Sequence, residues 1–523
     1  MSMSKKTYKK PVFKPYDQQQ LLLLPPSLDE LIIANHPVRV VNEVINKIDI
    51  KPLLSKYEGG GTSSYHPQML LKVIVYAYMN NIYSSRKIEE ALQQNIHFMW
   101  LSGMNTPDHH TINRFRGNQL SEPLKKIFTE VVKLFNEEGL LSIKDIFTDG
   151  TKIEANANRY TFVWGNSIKK NKEKMKEQLN EMWEYAQSVA AEELSDSTPT
   201  AFAEVNKENV KTAISKIDEA LKDKPVNKKF KQKLQYAKTK WPEALDKYAL
   251  QEAIIGDKRN SYSKTDIDAT FMRMKEDHMM NGQLKPAYNV QVSTSNQYIA
   301  NYTTHQTPVD ITTLKEHIEE HKAQYNKVPE AVTTDAGYGS EENYEYLEKE
   351  EIKAYVKYNQ FDREQNDNIQ TKTPFSSDKL YYNEQQDFYV CPMGQRMNNI
   401  GTYVRETTTG FKQTITKYQA KNCSNCPLQS VCYQSKGNRI IEINHNLNRH
   451  KEEAKNNLLS EEGVIHRKKR CCDVEPVFGN IKSNHHFKRF MLRGKVKVTT
   501  EVGLLALAHN LRKRSQNEMG KAA

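Results

Sequence analysis

Two short runs that are typical of β-strands end in the same way, with an aspartate followed by a glycine within two residues. The first run ends at Asp149-Gly150 and the second at Asp335-Ala336-Gly337. In an α/β sheet, side chains at the carboxyl ends of the strands line the ligand crevice. A single Asp-Gly is typical of a turn, but the two together predict that Asp149 and Asp335 converge from adjacent strands.

The pattern around these runs predicts a mixed α/β fold that is interrupted twice. Short helices precede the first run, and long Lys/Glu-rich helices with apolar residues at helical spacing follow it. A polar stretch with cysteines follows the second run before helices return. We therefore divide the chain into a basic flexible arm (1–20), a helical N-terminal domain (21–140), an α/β domain in three pieces (141–165, 260–358 and 455–515), a helical insertion (166–259), a cysteine-containing β-rich insertion (359–450) and a tail (516–523).

The 523-residue chain carries 76 lysines and arginines against 64 acidic residues, which gives a net charge of +12. A positive excess of this kind either keeps the protein soluble or helps it to bind a polyphosphate such as a nucleic acid. The conspicuous apolar run at residues 21–24 ends at Pro25-Pro26, far short of the roughly 20 residues that a membrane-spanning helix needs. Because no secretory apolar region precedes it either, we expect a cytoplasmic protein without a membrane segment.

A third acidic candidate lies in a predicted helix near the end of the chain. Glu475 and Lys482 are seven residues apart, which places them two turns apart on the same side of an α-helix. Glu475 is therefore either a salt-bridge partner or a metal ligand that faces a phosphate. The basic residues that flank it are Arg467, Lys468, Lys469 and Arg470 upstream and Lys488, Arg489, Arg493 and Lys495 downstream.

Three acidic blocks resemble those of the DDE transposases of bacterial insertion sequences. They read TDGTKIEAN (148–156), TDAGYGS (334–340) and VEPVFGNIK (474–482), and they occur in the order of the family. The helical stretches 64–89 and 107–116 are similar to the N-terminal domain of that family. The cysteine insertion and the overall spacing resemble the insertion-sequence-1182 group.

One departure from the family pattern is visible around the glutamate. The wider superfamily has a tyrosine and an arginine seven and four residues before the glutamate, and a lysine seven residues after it. Lys468, Cys471 and Lys482 hold these positions here, so only the lysine matches. Arg470 lies one residue from the arginine position and could substitute for it.

The resemblance implies an RNase H-like catalytic domain that cuts and joins double-stranded DNA. Asp149, Asp335 and Glu475 would be the catalytic residues and would hold two Mg²⁺ or Mn²⁺ ions, and Lys482 would hold a phosphate. The enzyme would cleave the terminal inverted repeats of its element and join the freed 3′ hydroxyls to target DNA. Pairing of two ends implies a homodimer in the synaptic complex, in the bacterial cytoplasm near the nucleoid.

Basic residues of two regions are candidates for DNA binding. A predicted helix that starts near Pro107-Asp108 carries Arg114 and Arg116, and it belongs either to a helix-turn-helix or to an ordinary helical bundle. Around the glutamate, the candidates are Arg467, Lys468, Lys469, Arg470, Lys488 and Arg489. Two other functions share parts of this pattern: a catalytically inactive or domesticated DNA-binding protein, and a metal-dependent nuclease without strand transfer.

All six cysteines lie in the last third of the chain, which is unlike the even spread of a disulfide scaffold. Cys391, Cys423, Cys426 and Cys432 are candidate ligands of one structural Zn²⁺, because thiolates at close spacing suit a tetrahedral site. The alternative is that these thiols are reduced and bind nothing. Cys471 and Cys472 lie on the predicted helix of Glu475, where we expect packing roles.

Overall fold

The computed structural model describes residues 27–57, 64–191, 194, 205–257, 259–274, 282–365, 375–433 and 435–522, so the predicted basic arm lies outside the described residues. Short helices form the N-terminal domain, and α6 continues directly into a π-helical turn. Their bounds are α1 (Pro37–Lys47), α2 (Lys51–Leu54), α3 (Pro67–Met79), α4 (Ser85–Gln94), α5 (Ile96–Ser102), α6 (His109–Arg114), the π-helical turn Phe115–Gln119 and α7 (Pro123–Glu137).

The middle of the chain alternates strands and helices. Its elements are β1 (Asp145–Glu154), β2 (Phe162–Trp164), α8 (Gly165–Val189), α9 (Lys207–Ala220), α10 (Lys228–Ile255), β3 (Ser261–Ser263), β4 (Thr270–Arg273), β5 (Leu284–Ser295), β6 (Tyr298–His305), α11 (Leu314–Tyr325), β7 (Ala331–Thr334), α12 (Glu341–Lys349) and β8 (Lys353–Val356). The strand β7 ends directly before Asp335, where the sequence predicts it.

The last third of the chain begins with short strands and ends with three long helices. Its elements are α13 (Phe361–Glu364), β9 (Tyr382–Asn383), β10 (Phe388–Val390), β11 (Arg396–Glu406), β12 (Lys412–Ala420), α14 (Gln429–Cys432), β13 (Ile440–Ile443), α15 (His445–Leu459), α16 (Glu461–Gly479), the π-helical turn Asn480–Asn484 and α17 (Lys495–Ala522). The predicted tail at 516–523 is helical as far as Ala522, because α17 continues through it.

A six-stranded mixed sheet is the centre of the molecule. Its hydrogen-bonded order is β4-β5-β1-β7-β8, and β6 also pairs with β5. β1 is antiparallel to β5 and parallel to β7, and β7 is parallel to β8. This arrangement confirms the mixed α/β fold class and is consistent with an RNase H-like domain.

One continuous core joins the N-terminal helices to the sheet. Leu71 of α3, Val290 and Val292 of β5 and Leu504 of α17 belong to the same buried cluster. α17 lies against both α3 and β6. A second cluster, which includes Val332 of β7, packs with α11, α12, β8 and α15.

Each insertion has a core of its own. α8, α9 and α10 pack around Trp183 and Trp241, as the helical spacing predicts. β9 to β13 form a separate antiparallel sheet in the order β13-β12-β11-β10-β9, with Tyr418 and Met397 in its core. Among the described residues, no helix has the length and apolarity needed to cross a membrane.

Candidate active site

Asp149 and Asp335 lie at the same level of two adjacent parallel strands. The register of β1 and β7 pairs Phe147 with Thr333, and two residues further along each strand come the two aspartates. β1 continues past Asp149, whereas β7 ends and the chain turns. Asp335 Oδ1 accepts a hydrogen bond of 2.9 Å from the Gly337 amide in this turn.

Gly150 lies inside β1 and not in a turn, and its lack of a side chain allows neighbouring side chains to pack closely against the strand. A Cβ at this position would overlap the side chains of Gln291 and Asp310. Asp310 Oδ1 accepts hydrogen bonds from Gln291 Nε2 at 2.9 Å and from Asn289 Nδ2 at 2.7 Å. The glycine after Asp149 therefore lets a polar cluster from β5 approach the strand. The sequence interpretation of this Asp-Gly as a strand end is wrong.

Glu475 reaches the same region from α16. Buried Asp473 fixes this helix to the β5–β6 hairpin, because its Oδ1 accepts hydrogen bonds from Thr294 Oγ1 at 2.7 Å and from the Gln297 amide at 2.9 Å. Val474 is also buried. Glu475, on the next residue, has a side chain that is 55% exposed.

The guanidinium of Arg470 lies among the three carboxylates. Its Nη2 is 3.3 Å from Asp149 Oδ2 and 3.9 Å from Asp335 Oδ2, and its Nη1 is 3.3 Å from Glu475 Oε1. The Arg470 and Asp149 side chains are each 11% exposed, whereas the Asp335 side chain is 44% exposed. The structure therefore brings the three predicted acids together around one cation, and Glu475 is an ion-pair partner in this state.

The donor atoms of this site suit a hard divalent cation. Three carboxylates supply only oxygen ligands, which Mg²⁺ and Mn²⁺ prefer. As the side chains stand, no three His, Cys, Asp or Glu residues of the described chain are arranged to hold a metal ion. The oxygen atoms of the three carboxylates are suitable ligands for such a metal ion. Their present spacing, however, is that of three groups around the Arg470 guanidinium.

Lys482 does not continue the face of Glu475. α16 ends at Gly479, and the π-helical turn that follows shifts the side chains away from α-helical spacing. Lys482 Nζ donates a hydrogen bond of 2.9 Å to the carbonyl of Lys152 in β1. The prediction that the two side chains are two α-helical turns apart is therefore wrong, and Lys482 joins the end of α16 to β1.

The flanking basic residues differ in exposure. Lys468, Lys469 and Lys488 are exposed, and Arg467 is half-buried with its guanidinium over the Phe361 ring at 5.3 Å. Arg489 is exposed but donates hydrogen bonds to backbone carbonyls after β1, at 3.0 and 3.1 Å. The Lys469 ammonium lies over the Phe147 ring at 5.4 Å, so Lys468 and Lys488 are the candidates of this group with the least internal engagement.

The four candidate thiols line one cavity of about 20 Å³ in the β-rich insertion. Cys391 Sγ accepts a hydrogen bond from the Gln395 amide at 3.3 Å, and Cys423 Sγ accepts one from the Arg439 amide at 3.4 Å. Arg439 Nη1 lies 2.8 Å from Cys432 Sγ. The chain turns tightly at both ends of the cavity: the Gly394 amide donates to the Cys391 carbonyl, and the Cys426 amide to that of Cys423.

Comparison with known protein families identifies two regions of the chain. Residues 390–514 match the family described as "Transposase DDE domain", and residues 26–118 match the family described as "Transposase domain (DUF772)". The chain carries the domains of an insertion-sequence DDE transposase. The match to the insertion-sequence-1182 group in particular is not established by these two regions. No curated protein and no solved structure matches the chain.

The transposase domains cover part of the candidate site. The DDE match includes Glu475, Arg470, Lys482 and the cysteine cavity, whereas Asp149 and Asp335 lie between the two matched regions. The N-terminal transposase domain contains both candidate arginines of the helical region. Arg114 is exposed at the end of α6, where it can meet a partner.

Arg116 is buried, with 2% of its surface exposed, so the prediction that it binds DNA is wrong. Its Nη1 donates to the Tyr83 carbonyl at 2.7 Å and to Tyr78 Oη at 3.0 Å. Tyr78 Oη in turn donates to Glu501 Oε1 of α17 at 3.1 Å. Burial raises the pKa of Glu501, which the Arg116 charge opposes. This buried chain joins the N-terminal transposase domain to α17.

Sequence reasoning missed the residues that position the site. Asp473 and Glu501 are buried acids on helices, and Asp310 belongs to a short helical turn after β6. Glu501 directly precedes the apolar run at residues 502–508 of α17, and an acid next to such a run is the signal that could have marked it. Asp310 carries no comparable signal, because its partners come from β5.

Proposed function

We propose that this transposase cleaves the terminal inverted repeats of an insertion sequence and joins the freed 3′ hydroxyls to target DNA. The observation that supports the proposal is the convergence of Asp149, Asp335 and Glu475 on Arg470, within 3.3 to 3.9 Å. Carboxylates from two strands and one helix, with an exposed glutamate on one side, make a site that a DNA backbone can reach.

Asp149, Asp335 and Glu475 would hold two divalent cations, Mg²⁺ or Mn²⁺. Bound cations of this kind activate water or a hydroxyl and stabilise the charge that builds on the attacking and leaving oxygens. The chain itself supplies the positions of the ligands: β1 and β7 fix the aspartates in register, and Asp473 fixes the helix that carries the glutamate. Precise placement of ligands is what a displacement reaction requires from a protein.

A cleavage and joining reaction tests the proposal directly. The protein is incubated with Mg²⁺, labelled terminal repeats of its element and a supercoiled plasmid, and both the cut ends and the joined products are measured. We expect nicks at the element ends and transfer of the label to the plasmid. Cutting without joining would support a nuclease, and binding without cutting would support an inactive DNA-binding protein.

We propose that DNA lies across the exposed side of α16 and the loop after it. Lys468, Lys469 and Lys488 are exposed there, close in sequence to Arg470 and Glu475. Each lysine that contacts a phosphate releases a counterion, so the contacts contribute to affinity through the salt dependence of binding. Arg114 would contact the same DNA from the N-terminal domain.

Replacing Lys468 and Lys469 by alanine together should weaken DNA binding for all sequences alike. The slope of log K against log salt should fall by roughly 1 to 2, about one for each phosphate that a lysine no longer neutralises. Filter binding or fluorescence anisotropy across a salt series measures this slope. Lys327→Ala with Lys349→Ala is the matched control, because these exposed lysines lie before β7 and β8, at the opposite edge of the sheet. An equal change in both double variants would contradict the proposed DNA path.

Two copies of the chain would act together on the two ends of one element. The proposed reaction needs both ends in one complex, so we propose a homodimer in the synaptic complex, in the bacterial nucleoid. Sizing of the protein with and without terminal-repeat DNA by light scattering tests this proposal. A complex with one protein chain for each pair of ends would contradict it.

We further propose that Cys391, Cys423, Cys426 and Cys432 bind one structural Zn²⁺. The four thiols share a cavity, and backbone amides donate to two of them. Amide donors of this kind stabilise thiolates and orient them toward a metal. A zinc ion here would join the chain after β10 to the chain after β12, the two strands that flank β11, because Cys391 follows β10 and the other three follow β12.

The purified protein should contain about one zinc per chain, since a tetrahedral thiolate site has four ligands. Cys423→Ser should lose most of this zinc and lower the melting temperature. Cys471 and Cys472 are both exposed on α16, so the expectation that they have packing roles is wrong, and neither lines the cavity. Cys471→Ser and Cys472→Ser are therefore the controls. Metal content by mass spectrometry and thermal melts provide the measurements. Protein without zinc, purified under reducing conditions, would rule the site out.

A further inference from the structure

Arg470 contacts the carboxylates of three separate elements. Asp149 belongs to β1, Asp335 follows β7, and Glu475 lies on α16, five residues after Arg470 itself. A planar guanidinium has five donors in a fixed geometry, which allows it to bridge several carboxylates at once. Lysine, with a single ammonium, could not span the same three groups.

Electrostatics explain why these acids need a cation between them. Like charges that are close together repel strongly in a partly buried site. The guanidinium neutralises one of three negative charges, so a formal charge of −2 remains when all three carboxylates are ionised. The three carboxylates can therefore lie close together around Arg470, and the remaining negative charge still attracts divalent cations.

We propose that Arg470 is the internal counter-ion of the acidic triad and leaves the carboxylates when divalent cations bind. This inference rests on the proposed function, because it takes the triad as the metal site. Two observations support it. The guanidinium lies between the carboxylates, and as the side chains stand they are not arranged to hold a metal.

The Arg470 side chain also has a donor that remains unsatisfied. Its Nε is buried and has no hydrogen-bond partner among the described residues. A buried donor without a hydrogen-bond partner has an unfavourable desolvation free energy, which destabilises this position of the Arg470 side chain between the carboxylates. An arginine with an unsatisfied donor, on a helix whose adjacent Lys468 and Lys469 are exposed, is suited to exchange carboxylates for a phosphate.

The test compares Mn²⁺ binding to the full-length wild-type protein and to Arg470→Gln by isothermal titration calorimetry without DNA. Removal of the competing charge should tighten Mn²⁺ binding by at least about tenfold. Arg470→Lys should lie between the two, because it keeps the charge but not the bridging geometry. Arg467→Gln, one turn earlier over the Phe361 ring, should leave the affinity unchanged. Unchanged or weaker binding by Arg470→Gln would overturn the inference.

Thermal melts provide a readout that does not depend on activity. In the presence of a chelator, Arg470→Gln should melt below the wild type, because the three carboxylates lose their counter-ion. Saturating Mn²⁺ should remove the difference. A melting temperature that is equal to the wild type without metal, or a gap that persists with Mn²⁺, would contradict the inference.

A third variant separates this inference from the proposed function. The combined variant Asp149→Asn, Asp335→Asn and Glu475→Gln should lose Mn²⁺ binding at this site. If it binds Mn²⁺ as the wild type does, the triad is not the metal site and both proposals fail. If it loses binding while Arg470→Gln gains no affinity, only the role of Arg470 fails.

Discussion

Asp149→Asn should abolish Mg²⁺-dependent cleavage of the element ends while leaving end binding intact. The amide keeps the size of the side chain but removes the charge that would hold a cation. Metal ions stabilise the transition state of such reactions by several kcal/mol, so the rate should fall about a thousandfold or more. The rate of nicking of a labelled terminal repeat provides the measurement, and Asp335→Asn and Glu475→Gln should behave in the same way.

Asp145→Asn is the matched control for this series. It changes an exposed aspartate at the start of the same strand, four residues before Asp149. We expect it to cleave at the wild-type rate. A triad variant that still cuts at the wild-type rate would remove that residue from the active site, whatever its distance from Arg470.

Glu501→Ala should lower the free energy of unfolding by about 3 to 5 kcal/mol. The carboxylate accepts hydrogen bonds from the Met491 and Leu492 amides, both at 3.0 Å, and from Tyr78 Oη at 3.1 Å. Alanine leaves these three buried donors without an acceptor and removes the negative charge near Arg116. Denaturant unfolding followed by circular dichroism measures the loss.

Two other substitutions make this prediction specific. Glu501→Gln keeps an oxygen acceptor and the shape of the side chain, so its cost should be less than half that of alanine. Gln516→Ala, at an exposed position of the same helix, should change stability by less than about 0.5 kcal/mol. Equal effects at positions 501 and 516 would mean that the buried network contributes nothing of its own.

The strands that carry the aspartates could be predicted from the sequence because local signals decide them. Short apolar runs, the turn between β5 and β6 and the helical spacing of α8 to α10 all lie within a few residues of the elements they specify. The adjacency of Asp149 and Asp335 was also predicted, but only half of its premise holds, because Asp335 follows the end of β7 whereas Asp149 lies inside β1. The acidic blocks added Glu475, which periodicity alone leaves as a charged residue on a helix.

The errors have a common physical cause, which is that the deciding partner is far away in the sequence. Arg116 has the local sequence pattern of a DNA-binding residue, a basic side chain on a short helix, and only its contact through Tyr78 with Glu501 reveals its burial. Lys482 fits α-helical spacing from Glu475, but its bond to the Lys152 carbonyl accompanies a π-helical turn. Arg470 is one cation of four in a row, and no local pattern shows that it alone faces three acids.

The contact between α3 and α17 also has a consequence for the timing of synthesis. Tyr78 and Glu501 are 423 residues apart, so the partner of Tyr78 does not exist until most of the chain has been translated. At roughly 5 to 20 residues per second, the N-terminal domain waits about 20 to 85 seconds before its buried arginine network can close. A nascent transposase that already displays Arg114 thus still lacks the helix that completes its core. Ribosome-bound chains that end before residue 495 should accordingly be sensitive to proteases within α3, whereas released chains should resist them.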